Sequence, residues 1–271
     1  MAIRIVQSKQ NSRVKELRAA LSRPGRGSAE VVALEGFHLV EEALRSGLTI
    51  ETIFIAQNSE RLLNELRILD SVEILALPEE VLASAVTTET SQPIAALARP
   101  QLWNWPDLLG HASSQTLIVI LAGIQDPGNL GTILRSAEAF GATGAISLSG
   151  TVSHWNPKAM RASAGSVFRL PILSVSESDC FTHLRESSIQ TLAAMAHEAQ
   201  PLSKVDLVKS VALVIGAEGS GISDEIASQC DARITIPCPG PVESLNAGVA
   251  ASILLYEASQ QRTTRRARRK A

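Results

Sequence analysis

A chain of 271 residues, 45% hydrophobic but only 3% aromatic, suits one large or two modest domains packed mostly on aliphatic and alanine side chains. No apolar run reaches the roughly 18 residues that cross a bilayer, and the opening MAIRIVQSKQNSR lacks the apolar core of a signal peptide. Cys180, Cys230 and Cys238 are odd in number and without ligand spacing, which argues against a disulfide scaffold or a zinc site and fits a reducing cytoplasm.

The net charge of −2 conceals basic ends on an acidic body. Arg4, Lys9, Arg13, Lys15, Arg18, Arg23 and Arg26 face one acid, Glu16, in residues 1–27, and RTTRRARRKA (262–271) holds six cations and no acid. Such ends suit a polyanion held at selected places; the alternatives are a solvated helix and a disordered tail. The 262–271 stretch has no apolar periodicity and is expected to lie outside any fold.

In chain order, VVALEGFHLVEEALRSG (31–47) reads as a short strand, a turn at Gly36 and a helix stopped by Gly47. TIETIFIA (49–56), VEILAL (72–77) and PIAALA (93–98) read as strands, with PEEVLASAV (78–86) helical, completing an α/β module over 1–98. RPQLWNWPDLLGHASSQ (99–115), with two prolines, Trp103 and Trp105, breaks the pattern and reads as a linker with the tryptophans at a seam. A second α/β unit covers 116–261, with strands near 117–122, 144–148, 190–194, 211–215 and 233–236. Near-continuous apolar strands alternating with helices imply a parallel sheet covered on both faces.

Three loops of this unit carry the polar residues. LIVILAGI (117–124) runs into DPGNLGTILRSAEAFGA (126–142), a strand, glycine turn and helix. Gly128 and Gly131 do not make the dinucleotide fingerprint, and Gly123 and Gly128 have the P-loop gap but are followed by Asn129 and Leu130, so an ordinary NAD or ATP site is disfavoured. Leu130, Ile133, Leu134 and Ala137 form the buried stripe of the helix, and Arg135 lies off it, placed for a surface ion pair with Glu138 if it has no other task.

VALVIGAEGSGISDE (211–225) sets Gly216, Gly219 and Gly221 around Glu218, which is either a catalytic base or a structural acceptor. Ser223 is expected to cap the next helix. ITIPCPGPVESLNAGVAASILLYEAS (234–259) is a proline-stiffened loop followed by a helix of small residues that invite close packing. Ser244 is the expected cap, and Asn246 is left unexplained as a poor interior helix residue.

Together these loops resemble the three signature motifs of the SpoU branch of the SPOUT RNA methyltransferases. Asn129 and Arg135 match the first, Glu218 the second, and Ser244 and Asn246 the third; NPKAMRASAGSVFRLPI (156–172) is also typical of the family. LEGFHLVEEALRSG (34–47) resembles the L30e-like substrate domain that often precedes the methyltransferase domain, and QNSRVKELRAAL (10–21) resembles the opening of rRNA-directed members, including thiostrepton-resistance methyltransferases. One departure is TTETSQPIAALA (87–98), where Gln92-Pro93 leads to Ile94 without the family's usual glycine.

The resemblance implies an α/β protein with an N-terminal L30e-like domain and a C-terminal SPOUT domain whose parallel sheet is threaded into a deep trefoil knot, a rare exception to unknotted chains. It implies a homodimer that uses S-adenosylmethionine, held by backbone groups near Gly216, Ile236 and Leu245 and at Ala193 or Ala194. The product is a 2′-O-methylated ribose in RNA, with ribosomal RNA favoured over transfer RNA; a non-catalytic RNA-binding homologue is the rival of another class. Arg135 would stabilise alkoxide character at the 2′-oxygen from across the dimer interface. Asn129, Ser244 and Asn246 would position ribose and loops, and Glu218 would hold the second loop. The proton acceptor stays open among Arg135, a phosphate oxygen and water. No membrane and no metal enter: His38, His111, His154, His183 and His197 show no ligand spacing.

Overall fold

A computed structural model describes residues 3–22, 31–86, 92–110 and 115–270, the side chains of Arg266 and of 268–270 excepted. Arg23, Arg26, His111 and residues 87–91 of the departing stretch lie outside the described residues. The chain forms two compact units. One joins residues up to Leu102 with Ser153–Arg169; the other joins Trp103–Val152 with the chain from Leu170 onward.

The first unit runs β1 (Ile3–Ile5), α1 (Ser12–Ser22), β2 (Val32–Glu35), α2 (Phe37–Arg45), β3 (Thr49–Ala56), a 3-10 turn (Gln57–Glu65), β4 (Glu73–Leu77), α3 (Glu79–Ala83) and β5 (Ile94–Arg99). Its sheet has the order β1-β4-β3-β5-β2, parallel except where β5 runs against β3 and β2. Gly36 enters α2 at φ +99°, a backbone that favours glycine. Two cations of the basic N-terminus are paired inside this unit. Arg13 bonds Glu16 (2.8 Å) and Glu73 (3.2 Å), and Arg4 bonds Glu73 (2.9 Å). The hydrogen bond to Glu16 holds the Arg13 guanidinium above its ordinary pKa.

In the second unit part of the expected linker is helical. Trp105–Leu109 is a helix, α4, closed by a capping box: Asn104 Oδ1 accepts from the Asp107 amide (3.3 Å) and the Asn104 amide donates to Asp107 Oδ2 (2.8 Å). Trp105 stacks on His183 (4.4 Å, 3°), so its packing is within this unit. There follow β6 (Leu117–Ala122), α5 (Pro127–Ala139) and β7 (Gly144–Ser147). The family-like stretch, counted with the first unit, supplies α6 (Pro157–Ser163) and α7 (Ser166–Arg169), where Arg169 reaches Glu42 and Ser46, each at 3.0 Å. The chain returns as β8 (Ile172–Ser174), α8 (Glu177–Glu186), β9 (Gln190–Ala194), β10 (Gln200–Pro201), β11 (Val211–Gly216), α9 (Asp224–Gln229), β12 (Ala232–Thr235) and α10 (Ala247–Lys270).

The sheet of the second unit is parallel throughout, in the order β10-β12-β9-β11-β6-β7-β8. Its centre is β6 against β11, in register from Leu117↔Val211 to Ala122↔Gly216. The side chains of LIVILA are all buried, as covered faces require. On one face α5 buries Leu130, Ile133, Leu134 and Ala137, and α10 packs across it. The small residues of α10 admit that neighbour: a Cβ on Gly248 would meet Thr132 at 3.2 Å, and Ser252 Oγ lies 2.7 Å from Ser136 Oγ.

The stretch from residue 262 is not unfolded, contrary to expectation; α10 runs on to Lys270. Arg262 donates to four backbone carbonyls: Leu207 (2.9 Å), Gln115 (2.9 Å), Thr116 (3.0 Å) and Lys209 (2.7 Å). Gln261 adds bonds to Val205 O (3.1 Å) and from Leu207 N (2.9 Å). Tertiary bonds of this kind supply what the missing apolar stripe cannot.

Candidate active site

Three parallel strands, β12, β9 and β11, lie side by side, and the loops leaving their C-terminal ends enclose a cavity of about 600 Å³. That edge is where ligands of open parallel sheets bind. The walls include Ala194, Gly216, Ile236, Ser244 and Leu245. Ala193 is not among them: it is fully buried and points into the core with Ile118 and Ala212. Alternation along β9 puts one alanine of the pair on each face.

The β11 loop folds back on itself through Ala217 N to Gly221 O (3.1 Å) and Gly221 N to Ala217 O (2.9 Å). A Cβ on Gly216 would collide with the Gly221 backbone. Gly216 is therefore required by the loop's own closure. Gly219 (φ +85°) and Gly221 (φ +67°) supply the left-handed turns. Ser223 accepts from Ile226 N (3.3 Å) and caps α9, as its position predicts.

The polar residues of the three loops meet at Glu218. Asn129 Nδ2 donates to Glu218 Oε1 (2.6 Å). Asn246 Nδ2 donates to the same oxygen and to Asn129 Oδ1 (3.0 Å). Asn129 is set by α5, whose N-cap Asp126 accepts from its amide (2.8 Å), with Pro127 in the first turn. Asp followed by Pro is a helix-start signal, and the cap that Asp126 provides fixes where Asn129 stands.

Asn246 caps α10: its Oδ1 accepts from Val249 N (3.2 Å), and Ala250 N closes the first turn on Asn246 O (2.9 Å). Ser244 is therefore not the cap; it is exposed on the cavity wall. Both hydrogens of the Asn246 amide and its oxygen are thus engaged within the protein. Among the described residues, no partner is found for the second oxygen of Glu218 or for one amide hydrogen of Asn129.

Arg135 is exposed, and among the described residues no hydrogen bond or ion pair of its side chain is found, to Glu138 or otherwise. It stands six residues, about 9 Å, along α5 from Asn129. It shares a helix face with Thr132, which lines a shallow apolar groove with Phe140, Val249, Ile253 and Tyr256. Val249, Ile253 and Tyr256 are 48%, 36% and 50% exposed.

Thiol chemistry is not prepared in the core. Burial pushes the Cys180 thiol up to about 12 and that of Cys230 to about 11. Among the described residues, no three His, Cys, Asp or Glu side chains are grouped to hold a metal, and no helix is long and apolar enough to cross a membrane.

Residues 116–256 match the SpoU rRNA Methylase family, more than half of the chain. The chain belongs to that family. Residues 11–96 match the MRM3-like substrate binding domain. The 23S rRNA (guanosine(2553)-2′-O)-methyltransferase RlmP of Bacillus subtilis is 28% identical over 93% of this chain and 97% of its own. An uncharacterized tRNA/rRNA methyltransferase of Synechocystis is 34% identical over 94% of this chain and 93% of its own.

Among solved structures, the SpoU methyltransferase AviRb of Streptomyces viridochromogenes, in complex with AdoMet, superposes with a TM-score of 0.82 at 27% identity, covering 94% of this chain and 99% of that one. The AdoMet-bound rRNA methyltransferase of Sinorhizobium meliloti gives 0.79 at 30%, covering 95% and 98%. The two-unit α/β architecture is thus the SpoU architecture over nearly the whole chain.

Proposed function

We propose that this protein, an S-adenosylmethionine-dependent RNA methyltransferase of the SpoU family, methylates a ribose 2′-hydroxyl of ribosomal RNA at the Asn129–Glu218–Asn246 rim. The observation that carries the reading is the meeting of these three residues beside the cavity at the ends of β12, β9 and β11. The cavity fits the cofactor: about 600 Å³ falls in the range of small-molecule sites. Ile236, Leu245 and Leu254 offer apolar walls, loop backbone offers donors and acceptors, and Glu218 and Glu243 suit a cation. Ala194, Gly216, Ile236 and Leu245 would hold the bound molecule, which supplies a methyl group already activated by the sulfonium charge.

The chain's own residues then have a defined task. A ribose hydroxyl is a poor nucleophile, so it must be aimed in line and its developing charge stabilised. Asn129 and the free oxygen of Glu218 orient the ribose. Ser244, exposed on the cavity wall, contacts it as well. Asn246 positions the other two residues and fixes the start of α10. Arg135, exposed and without a partner among the described residues, stabilises the alkoxide-like oxygen; a phosphate oxygen or water takes the proton.

Arg135 serves the site of a second copy. Its face of α5 continues into the exposed apolar groove of Phe140, Val249, Ile253 and Tyr256, which suits an isologous contact with the same face of another chain. The loops around the cavity are those that the family threads into a trefoil knot, and we assign that threading to residues 211–259. Reduced Cys180, Cys230 and Cys238 suit work in the cytoplasm.

The test is methyl transfer from tritiated S-adenosylmethionine to ribosomal RNA, with the product mapped for 2′-O-methyl ribose. Label in transfer RNA alone would move the substrate class. A protein that binds RNA but neither binds nor consumes the cofactor would be a non-catalytic homologue.

A further inference from the structure

Helix α10 spans the second unit's sheet from one edge to the other. It starts at Asn246, on the edge formed by the C-terminal ends of the strands, where Glu218 and Asn129 wait. Its far part is latched by Arg262 and Gln261 to residues 115–116 and 205–209, which precede β6 and β11 on the opposite edge. Arg262, one of the six cations of the 262–271 stretch, is therefore consumed as a structural clamp.

Beyond the clamp the helix carries Arg265, Arg266, Arg268, Arg269 and Lys270. The last acidic residue before them is Glu257, and Ala267 is the one apolar residue among 265–270. At about 1.5 Å per residue the backbone of these five residues lies about 27–35 Å along the axis from Ala247. This end of the helix is far from Asn246, and the Arg262 clamp holds the helix just before it.

We infer that the basic end of α10 beyond Arg262 is a second RNA-binding site, which grips the phosphates of a backbone segment about 30 Å from the ribose being methylated. The inference rests on the reading of the protein as an RNA methyltransferase. Clustered arginines with no interspersed acid fit a polyanion, and arginine matches phosphate in a bidentate way. An anionic membrane is the poorer partner, because an interfacial helix needs an apolar face and 259–270 has none. The consequence is a ruler: a short oligonucleotide that fills the active site cannot reach the basic end, whereas folded RNA can engage both.

The experiment compares the full chain with a variant carrying Arg265→Gln, Arg266→Gln, Arg268→Gln, Arg269→Gln and Lys270→Gln. Glutamine keeps helix propensity, and Arg262 is untouched. Filter binding is measured against salt with a large-subunit ribosomal RNA transcript, a short single-stranded RNA and phosphatidylglycerol vesicles.

The expected result is a Kd for the transcript raised about 10–100-fold near physiological salt. Its log–log salt slope should be shallower by about 2–4, since each phosphate contact contributes about 0.7–0.9. Binding of the short RNA should be unchanged, and so should kcat at saturating transcript. Equal Kd and slope for the two proteins on the transcript would overturn the inference. So would equal weakening on the short RNA, or a loss confined to the vesicles. Binding is read without turnover, so a wild type that binds transcript but transfers no methyl group would sink the methyltransferase reading alone.

Discussion

Asn246 Nδ2 lies 3.0 Å from Asn129 Oδ1 across 117 residues of sequence, and both amides donate to one oxygen of Glu218. A single carboxylate oxygen therefore ties the start of α5 to the start of α10 through the β11 loop. Hydrogen bonds to an ionised acceptor are stronger than neutral ones, but these are exposed to solvent. Glu218→Gln should lower the unfolding free energy by about 1 kcal/mol, read by chemical denaturation. It should lower kcat more than tenfold, because both ends of the site lose their common anchor. Full activity with unchanged stability would mean that the three side chains meet without consequence.

Arg135→Ala has the opposite signature. Its side chain is exposed and makes no hydrogen bond or ion pair among the described residues, so thermal unfolding should not shift. Methyl transfer should fall at least a hundredfold while cofactor affinity, read by calorimetry, stays as it was. Arg135→Lys should recover little, since an ammonium does not reproduce the planar fork. Turnover near wild type in the alanine variant would remove Arg135 from the reaction.

Gly216→Ala tests the loop's self-closure. The added methyl would overlap the Gly221 backbone, which cannot step aside as a flexible side chain would. The loop must open, and S-adenosylmethionine affinity should fall at least tenfold. Gly219→Ala is the control: nothing lies within 4 Å of its Cβ, and only its φ of +85° is strained. That strain costs about 1 kcal/mol. Equal cofactor binding by wild type and the Gly216 variant would detach the loop from the cofactor site.

His154 gives a pH test in the first unit. Its ring, 4.8 Å from that of Trp155, is shielded, and burial lowers its pKa to about 4. The unfolded chain protonates near pH 6.5. Folding therefore favours the neutral ring; this contribution is complete above pH 6.5 and is lost as pH falls towards 4. His154→Phe should flatten the fall of Tm between pH 7 and 4.5. Identical slopes would place the acid sensitivity elsewhere.

What could be read beforehand follows from the range of the forces involved. The buried stripe of α5 and the apolar run of β6 are local patterns, and both stand where their spacing puts them. Ser244 and Asn246 are equally good caps by type. The choice of Asn246 is made by Asn129 and Glu218, which local sequence does not reveal. The three glycines of the β11 loop promised a close approach, and for Gly216 what comes close is the loop itself. The helix beyond residue 261 was illegible for the same reason: Arg262 binds carbonyls far away in sequence, so no periodicity betrays it. β1, β8 and β10 are strands of two or three residues, too short to carry an alternating pattern.

The seat of β11 between β9 and β6 has a consequence for biogenesis. During synthesis LIVILA emerges early, and one of its edges has no partner until Val211–Gly216 follows. At about 5–20 residues per second that wait lasts about 5–20 seconds. An apolar, uncharged six-residue strand with an open edge is the kind of segment that recruits other chains. Yield in the cell should therefore depend on what shelters nascent β6, a demand set by the order of the strands and unrelated to the chemistry at Glu218.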